Sequence, residues 1–234
     1  MGSSLVPMVA AGLLLGMKHA LDADHLAAVG VLASEHHGWR KAAAVGALWG
    51  LGHTLALAAV GVALLGAGVA LPPEFARWAE GLVAATLVWL GARSLWSLAR
   101  GDTIHFHAHR HGSWWHVHPH RHRRGDAHGE PDSHHGPSHA RPFLFGMLHG
   151  LAGSAALFLL VLTSEPRSVF AWAYLAAFGA GSTLSMTAFS ALVALPFQLR
   201  PERLQRWHGR LRAFAALCSI AVGLVLGYEL AASA

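Results

Sequence analysis

Long apolar stretches alternate with polar segments along the chain, and this pattern gives the first indication of its fold. The apolar runs lie at residues 5–15, 42–71, 81–98, 143–163, 169–197 and 214–232. A helix that spans a membrane needs about 20 predominantly apolar residues, and several runs reach that length. The pattern therefore predicts an all-α, polytopic membrane protein with six transmembrane helices, at residues 5–33, 42–70, 76–99, 142–163, 168–196 and 209–232.

One polar segment, residues 100–141, is far longer than the other connections and is called the insert below. It is rich in His, Arg, Gly and Pro and shows little apolar periodicity, so we expect it to be mostly disordered. Residues 1–99 and 142–234 then form two units of three helices each. Charged residues make up 12% of the chain, about half of the roughly 25% found in soluble domains, which agrees with a membrane location.

The two units resemble each other in sequence. “LLGMKHALDADHLAAVGVLASE” at 14–35 and “LFGMLHGLAGSAALFLLVLTSE” at 144–165 share nine identical positions, and “GHTL” at 52–55 matches “GSTL” at 181–184. Because three helices are an odd number, the second unit enters the membrane in the opposite orientation, which makes an inverted repeat. Many secondary transporters are built this way, with the site near the midplane. Chance similarity between Leu- and Gly-rich helices is the alternative.

The basic residues lie mainly on one side of this predicted topology. The loops near residues 34–41, 100–141 and 197–212 hold thirteen Lys and Arg residues, against Arg77 and Arg167 in the loops of the opposite side. The positive-inside rule makes the first side cytoplasmic, so we expect a cytoplasmic-membrane protein with both termini outside and the insert inside. The first run lacks a positive n-region, so no cleaved signal peptide is expected. Basic residues spread over loops do not indicate nucleic-acid binding.

Four ionisable side chains interrupt the first apolar stretch, in “HALDADH” at residues 19–25. On a regular helix, at ~100° per residue, His19, Asp22 and His25 lie within an arc of about 120°. Asp24 lies nearly opposite, about 140° from His19. The predicted helix is also about 29 residues or ~44 Å long, against a hydrocarbon core of ~30 Å. We therefore expect the helix to be broken or distorted near the aspartates, which would let Asp24 join a site with both histidines.

Two further histidines lie in apolar helices. His53 occurs in “WGLGHTLAL”, where glycines would let a neighbouring helix approach, and His149 is the repeat equivalent of His19. Ionisable residues inside a membrane mark ion or substrate pathways. The alternatives are aspartates that only pair with histidines to hold helices together, and a His149 that acts as a gate rather than a ligand. The candidate metal ligands are His19, Asp22, Asp24, His25, His53 and His149.

The ligand types narrow the choice of metal. Imidazole and carboxylate without thiolate suit Ni²⁺, Co²⁺, Zn²⁺ or Cu²⁺, whereas Mg²⁺ and Ca²⁺ prefer oxygen ligands. The single Cys218 excludes an intramolecular disulfide and a multi-cysteine site. Thr54, Ser182, Thr183 and Ser185 are expected to form hydrogen bonds between helices, with metal contact as the alternative. Twelve of the nineteen histidines lie in the insert, which favours a loose cytoplasmic metal buffer over a charged or pH-responsive linker.

At “HALDADH” and “LGHT” the chain resembles the nickel/cobalt transporter family, whose hallmark is a His-x4-Asp-His signature in an early helix. His19, Asp24 and His25 match that signature. Asp22 matches the fuller form found in uptake-type members, and His53 matches the histidine of the second family signature. The resemblance implies that these residues bind the transported ion.

A second stretch, “HGLAGSAAL” at 149–157, resembles the smaller urease-accessory-type nickel permeases, which six helices also fit. The Asp-Thr-x-Thr-Glu-type motif of the larger members is absent, so the source of any additional ligand stays open. The resemblance implies nickel or cobalt as the cargo, no resident cofactor, and urease or hydrogenase maturation proteins as recipients downstream.

Three functions follow from these observations, in descending order of support. The first is uptake of nickel or cobalt, since efflux relatives carry a first motif closer to His-x-x-x-Pro-Gly-His and lack these aspartates. The second is efflux by proton exchange on the same architecture, with the insert collecting cytoplasmic metal. The third is an intramembrane metalloenzyme, for which His-Glu-x-x-His and the histidine boxes of membrane hydroxylases are missing. We therefore expect a transporter and not an enzyme.

Overall fold

The computed structural model describes residues 2–36, 38–67, 73–100, 103–111, 114–122, 140–152, 169–199 and 201–233. The elements in these ranges are α1 (Gly2–His19), α2 (Ala23–Ser34), α3 (Trp39–Ala67), α4 (Pro73–Ala99), β1 (Thr103–His111), β2 (Trp114–His122), α5 (Ala140–Gly150), α6 (Val169–Leu199) and α7 (Pro201–Ala232). Both strands lie within the insert, and the helices lie on either side of it.

Four of the described helices are long and apolar enough to cross a membrane, over Trp39–Ala63, Glu74–Ala99, Ala171–Leu195 and Trp207–Ala232. Together, α1 and α2 make a fifth candidate span that is bent by 63°. Large apolar side chains such as Trp78, Leu224 and Tyr228 are exposed on the outside, as expected where a surface faces lipid. The prediction of a helical, multi-pass membrane protein is confirmed. The span expected at 142–163 is described only up to residue 152, and its remainder lies outside the described residues.

The break expected in the first span is present, between α1 and α2. The amides of Leu21 and Asp22 donate to the carbonyls three residues back, those of Lys18 (2.9 Å) and His19 (3.0 Å). Asp22 then takes an extended conformation (φ −64°, ψ 149°), which cannot continue a helix. Its carbonyl accepts the Leu26 amide at 3.0 Å and so begins α2. The aspartates therefore stand at a helix start rather than inside a continuous helix.

Matched contacts relate the two halves of the chain. Where α1 crosses α6, a Cβ at Gly16 would overlap the carbonyl of Phe178. Where α5 crosses α3, a Cβ at Gly146 would overlap the carbonyl of Trp49. Glycine is required at both crossings because it lets two backbones approach closely. Gly16 and Gly146 are repeat equivalents, so each half uses its first helix to contact the second helix of the other half.

The second helix of each half, α3 or α6, lies at the centre of the helix packing. Thr54 Oγ1 on α3 donates to the carbonyl of Gly179 on α6 at 3.2 Å and lies 3.2 Å from Thr183 Oγ1. The predicted hydrogen bonds between helices are therefore confirmed for these two threonines. On the outside, α4 packs against α7, where Ser219 Oγ donates to the carbonyl of Leu87 at 2.8 Å.

The insert contains regular structure that the sequence analysis did not predict. Strands β1 and β2 form an antiparallel pair with Thr103 opposite His122 and His111 opposite Trp114. These strands lie in a segment for which we expected mostly disorder, and residues 123–139 lie outside the described residues. The physical reason is visible in “HFHAHRH” and “HVHPHRH”, where His alternates with other residues at the period of a strand.

Candidate metal centre

The predicted ligands come from four helices that meet around the break. His19 ends α1, and Asp24 and His25 lie in the first turn of α2. His53 lies at the middle of the 29-residue α3, and His149 lies in the last turn of α5. Apart from the slightly exposed His19, the histidines have exposed fractions of at most 1%. Four imidazoles are thus held in the interior of the protein.

The four imidazole rings form one cluster with His25 at its centre. The ring centroid of His25 lies 4.5 Å from that of His19, 5.0 Å from that of His53 and 4.8 Å from that of His149. The rings of His19 and His53 are 5.3 Å apart. The structure therefore brings together all four histidines that the sequence singled out, including His149 from the second half of the chain.

Asp24 lies inside this cluster and connects two of its histidines. Its Oδ1 is 3.0 Å from His25 Nδ1, and its Oδ2 is 3.3 Å from His149 Nε2. On a continuous helix Asp24 would point away from His19, but the break changes the direction of the chain just before it. The expectation that a break lets Asp24 join the histidines is met in the geometry, with His25 and His149 as its contacts.

Asp22 is placed differently from Asp24. Its Oδ2 lies 2.8 Å from His19 Nδ1, and its side chain is 53% exposed, against 26% for Asp24. A carboxylate on one ring nitrogen of a histidine fixes the tautomer and orientation, and leaves the other nitrogen to bind a metal. The geometry therefore gives Asp22 the part of orienting His19, and does not bring it into the histidine cluster.

Among the described residues, two sets of three side chains have ligand atoms close enough to hold one ion. The first is His19, His25 and His53, and the second is Asp24, His25 and His149; within each set, all ligand atoms lie within 4.8 Å of one another. His25 belongs to both sets. The first set offers imidazole alone, whereas the second adds a carboxylate.

Several buried nitrogens in the cluster have no hydrogen-bond partner among the described residues. They are His19 Nε2, His25 Nε2, His149 Nδ1 and both ring nitrogens of His53. A buried polar atom without a partner costs free energy, on the order of 1–3 kcal/mol each, and native proteins contain few of them. Neutral imidazole nitrogens are good ligands for divalent transition metals, so a bound cation would satisfy these atoms together.

Two aromatic side chains that the sequence analysis did not single out enclose the cluster. The Trp49 ring centroid lies 5.1 Å from that of His149, and the Phe178 ring centroid lies 5.4 Å from that of His19. Trp49 and Phe178 occupy equivalent places in the two halves, 129 residues apart. An aromatic residue at both places of the repeat was the signal that could have identified them.

An apolar cavity of about 340 Å³ reaches the cluster beside Asp24. Asp24 is the one charged residue among the described residues that line it, which are Ala23, Asp24, Ala221, Val222, Val225 and Leu226. The partial exposure of Asp24 is therefore toward an apolar space between α2 and α7. The carboxylate gains no second charged partner from that side.

A charged network lies at the other end of α2. Glu35 Oε1 is 3.6 Å from an Arg212 nitrogen and Glu35 Oε2 is 4.0 Å from an Arg93 nitrogen, while Arg212 Nε donates to Ser94 Oγ at 3.0 Å. Arg212 is buried, on α7 where that helix contacts Ser94 of α4. The network connects α2, α4 and α7 at the end of the bundle where the α2–α3 connection lies.

Comparison with known proteins gives one informative relative. The chain is 27% identical, over 226 residues, to urease accessory protein UreH of Bacillus sp. (strain TB-90), a match that covers 97% of this chain and 92% of that protein. No protein-family model matches the chain, and no solved structure matches it.

The similarity confirms the resemblance to the urease-accessory branch that the sequence motifs indicated. It extends over nearly the whole chain, so it includes both halves and the insert. The relative is named as an accessory protein and not as an enzyme, in agreement with the prediction that this chain has no enzymatic activity.

Proposed function

We propose that this membrane protein takes up nickel or cobalt ions across the cytoplasmic membrane through its buried His/Asp cluster. The observation that carries the proposal is the set of buried imidazole nitrogens without hydrogen-bond partners around Asp24. A structural cluster of histidines would have its nitrogens paired within the protein. His53 lies halfway along α3, so the cluster stands near the midplane, where secondary transporters bind their cargo.

The similarity to a urease accessory protein supports nickel as the cargo. It is consistent with the family signature at His19, Asp24 and His25, which resembles that of the nickel/cobalt transporters. On this proposal, the ion that enters the cell is passed to proteins of urease or hydrogenase maturation. The histidine-rich insert would then hold metal loosely on the cytoplasmic side.

We further propose that the two halves form an inverted repeat with six spans in all. The matched glycine crossings support it, because Gly16 meets Phe178 in the same way as Gly146 meets Trp49. The contact between Thr54 and Thr183 supports it too, because these residues are repeat equivalents and would face each other across the symmetry axis. Transport then occurs by rocking of one half against the other.

The membrane potential provides a driving force for uptake. An inside-negative potential contributes ~2.3 kcal/mol per charge for each 100 mV, hence about 4.6 kcal/mol for a divalent cation. The chain contains no Gly-x-x-x-x-Gly-Lys-[Ser/Thr] loop for ATP. The placement of both termini outside and the insert inside, which follows from the positive-inside rule, belongs to this proposal.

The test is accumulation of radiolabelled nickel in cells that express the parent chain, a His25→Gln variant, or a His36→Gln control. His36 lies after α2 and its Nδ1 contacts the Leu32 carbonyl at 2.9 Å, outside the cluster. We expect accumulation by the parent and the control, inhibition by excess cobalt, and background accumulation by His25→Gln. Lower cell nickel and better growth in high nickel would instead establish efflux, and equal accumulation by all three would refute the site.

A further inference from the structure

We propose that a single transported ion occupies two successive positions in the cluster, and that His25 takes part in both. The first position is formed by His19, His25 and His53, and the second by Asp24, His25 and His149. In each set, the three ligand atoms lie within 4.8 Å of one another. This inference rests on the proposed transport function, and it deepens that proposal by assigning an order of contacts within the site.

The two positions belong to different parts of the chain. The ligands of the first come from α1, α2 and α3, which all precede the insert. The second takes His149 from α5, which follows the insert, so it bridges the two halves. His149 follows any shift of α5 against α3, which α5 crosses at Gly146 and Trp49, whereas the first position has no ligand from α5. The second position is therefore the one that responds to a movement of α5.

The two positions also differ in chemistry. Three imidazoles bind the ion without offsetting its charge. Two imidazoles and the Asp24 carboxylate bind it and offset one of its two charges. Both sets suit Ni²⁺, Co²⁺ or Zn²⁺, and three protein ligands leave room for a water molecule on the metal. The negative charge of Asp24 favours transfer of the ion from the first position to the second. Because the His25 imidazole belongs to both positions, the ion exchanges two ligands during the transfer rather than three.

Electrostatic repulsion between two cations favours the binding of one ion at a time in the cluster. Two divalent cations repel each other four times as strongly as two unit charges at the same distance. The ring centroids of His53 and His149 both lie within 5.0 Å of that of His25, so two ions would be close neighbours. Among the described residues, Asp24 is the one carboxylate that belongs to either set of ligands, because Asp22 is half exposed and contacts His19 at Nδ1.

The test is titration of the purified, full-length protein in detergent with Co²⁺. The number of Co²⁺ ions bound per chain and their visible absorption spectrum are measured. The insert histidines are replaced by glutamine in all proteins compared, because they would bind Co²⁺ themselves. His53→Gln removes the first position, His149→Gln removes the second, and His25→Gln removes both. His36→Gln is the matched control.

We expect one Co²⁺ per chain in the parent and the control. His53→Gln and His149→Gln should each lower the Co²⁺ affinity by less than about tenfold, because the other position remains. The Co²⁺ absorption spectra of these two variants should differ from each other. His25→Gln should lower the Co²⁺ affinity by more than about 100-fold, because it removes both positions. Both single-position variants should bind metal yet fail to accumulate nickel in cells, since the path is interrupted. Size-exclusion profiles identical to that of the parent show that each variant is folded.

Other outcomes separate this inference from the proposed function. The proposal of successive positions would be overturned if the parent bound two ions per chain, or if all three variants lost the same amount of Co²⁺ affinity. Either result would overturn it even if nickel uptake is observed. Full uptake by His53→Gln or His149→Gln would also overturn them. If the parent binds one ion and the variants differ in Co²⁺ affinity as expected, but no nickel accumulates in cells, the transport function alone is overturned. A parent that binds no Co²⁺ would overturn both.

Discussion

The glycine at the crossing of α1 and α6 provides a sharp test of how the helix packing positions the metal ligands. A Cβ at Gly16 would overlap the Phe178 carbonyl and approach two further backbone atoms of the same residue. Backbone cannot rotate away as a side chain can, so Gly16→Ala must separate the two helices. Overpacking costs about 1–3 kcal/mol, and we expect the upper end of that range because the overlap is with backbone. The helix preference of Ala over Gly returns about 0.5–1 kcal/mol, so the expected net loss is about 2 kcal/mol.

The chain offers a matched control for this substitution. Gly30 lies in α2 and is buried, but a Cβ there would meet no atom within 4 Å. Gly30→Ala keeps the same chemical change without the overlap, so we expect a gain of about 0.5–1 kcal/mol. At about 2–4 °C per kcal/mol for a chain of this size, thermal unfolding in detergent should place Gly16→Ala about 4–8 °C below the parent and Gly30→Ala slightly above it.

The same substitution should also weaken metal binding. His19 follows Gly16 by three residues on α1, so a shift of α1 away from α6 moves the imidazole relative to His25 and His53. Gly146→Ala should behave alike, because Gly146 precedes His149 by three residues and crosses α3 in the equivalent contact. Co²⁺ titration provides the measurement. Gly16→Ala with the melting temperature and Co²⁺ affinity of the parent would refute the reasoning.

Three further predictions concern single side chains. Asp24→Asn should abolish nickel uptake because it removes the carboxylate of the second position, whereas Asp22→Asn should lower Co²⁺ affinity by less than about tenfold, because Asp22 only orients His19 and the second position remains; nickel uptake lost to the same extent in both variants would contradict this. Trp49→Phe should retain uptake because the ring that contacts His149 remains, while Trp49→Ala should cost about 3–5 kcal/mol in thermal unfolding. Thr54→Val and Thr183→Val should each lower stability by only about 0.6 kcal/mol, and a double-mutant cycle should show that the two effects are not additive.

The break in the first span could be predicted from the sequence, but its consequences for the aspartates could not. A helical wheel describes one continuous helix, and it placed Asp22 with His19 and His25. The break interrupts that helix before Asp22, whose extended backbone leaves its side chain half exposed and in contact with His19. Asp24 then lies in the first turn of α2, which runs in a different direction. The wheel therefore indicated that a break was needed, and could not say where each carboxylate would lie after it.

Contacts between the halves were harder to derive from the sequence. The repeat identified His149 as the equivalent of His19, but its contact with Asp24 depends on where α5 crosses α3, at Gly146 and Trp49. Crossing points depend on packing in three dimensions, which a one-dimensional pattern does not contain. The strands of the insert were missed for a different reason, since composition was given more weight than the period of two in the histidine tracts.

The arrangement of the proposed ligands differs from the packing of the helices that hold them. The scaffold is nearly symmetric, because glycine and aromatic residues make the same contacts in both halves. The ligands are not symmetric, because the repeat equivalents of Asp24, His25 and His53 are Ser154, Ala155 and Ser182. In the site that we propose, the first half supplies His19, Asp24, His25 and His53, and the second half supplies His149 alone. A shift of α5 against α3 would then displace one ligand of the second position while Asp24 and His25 stay in place.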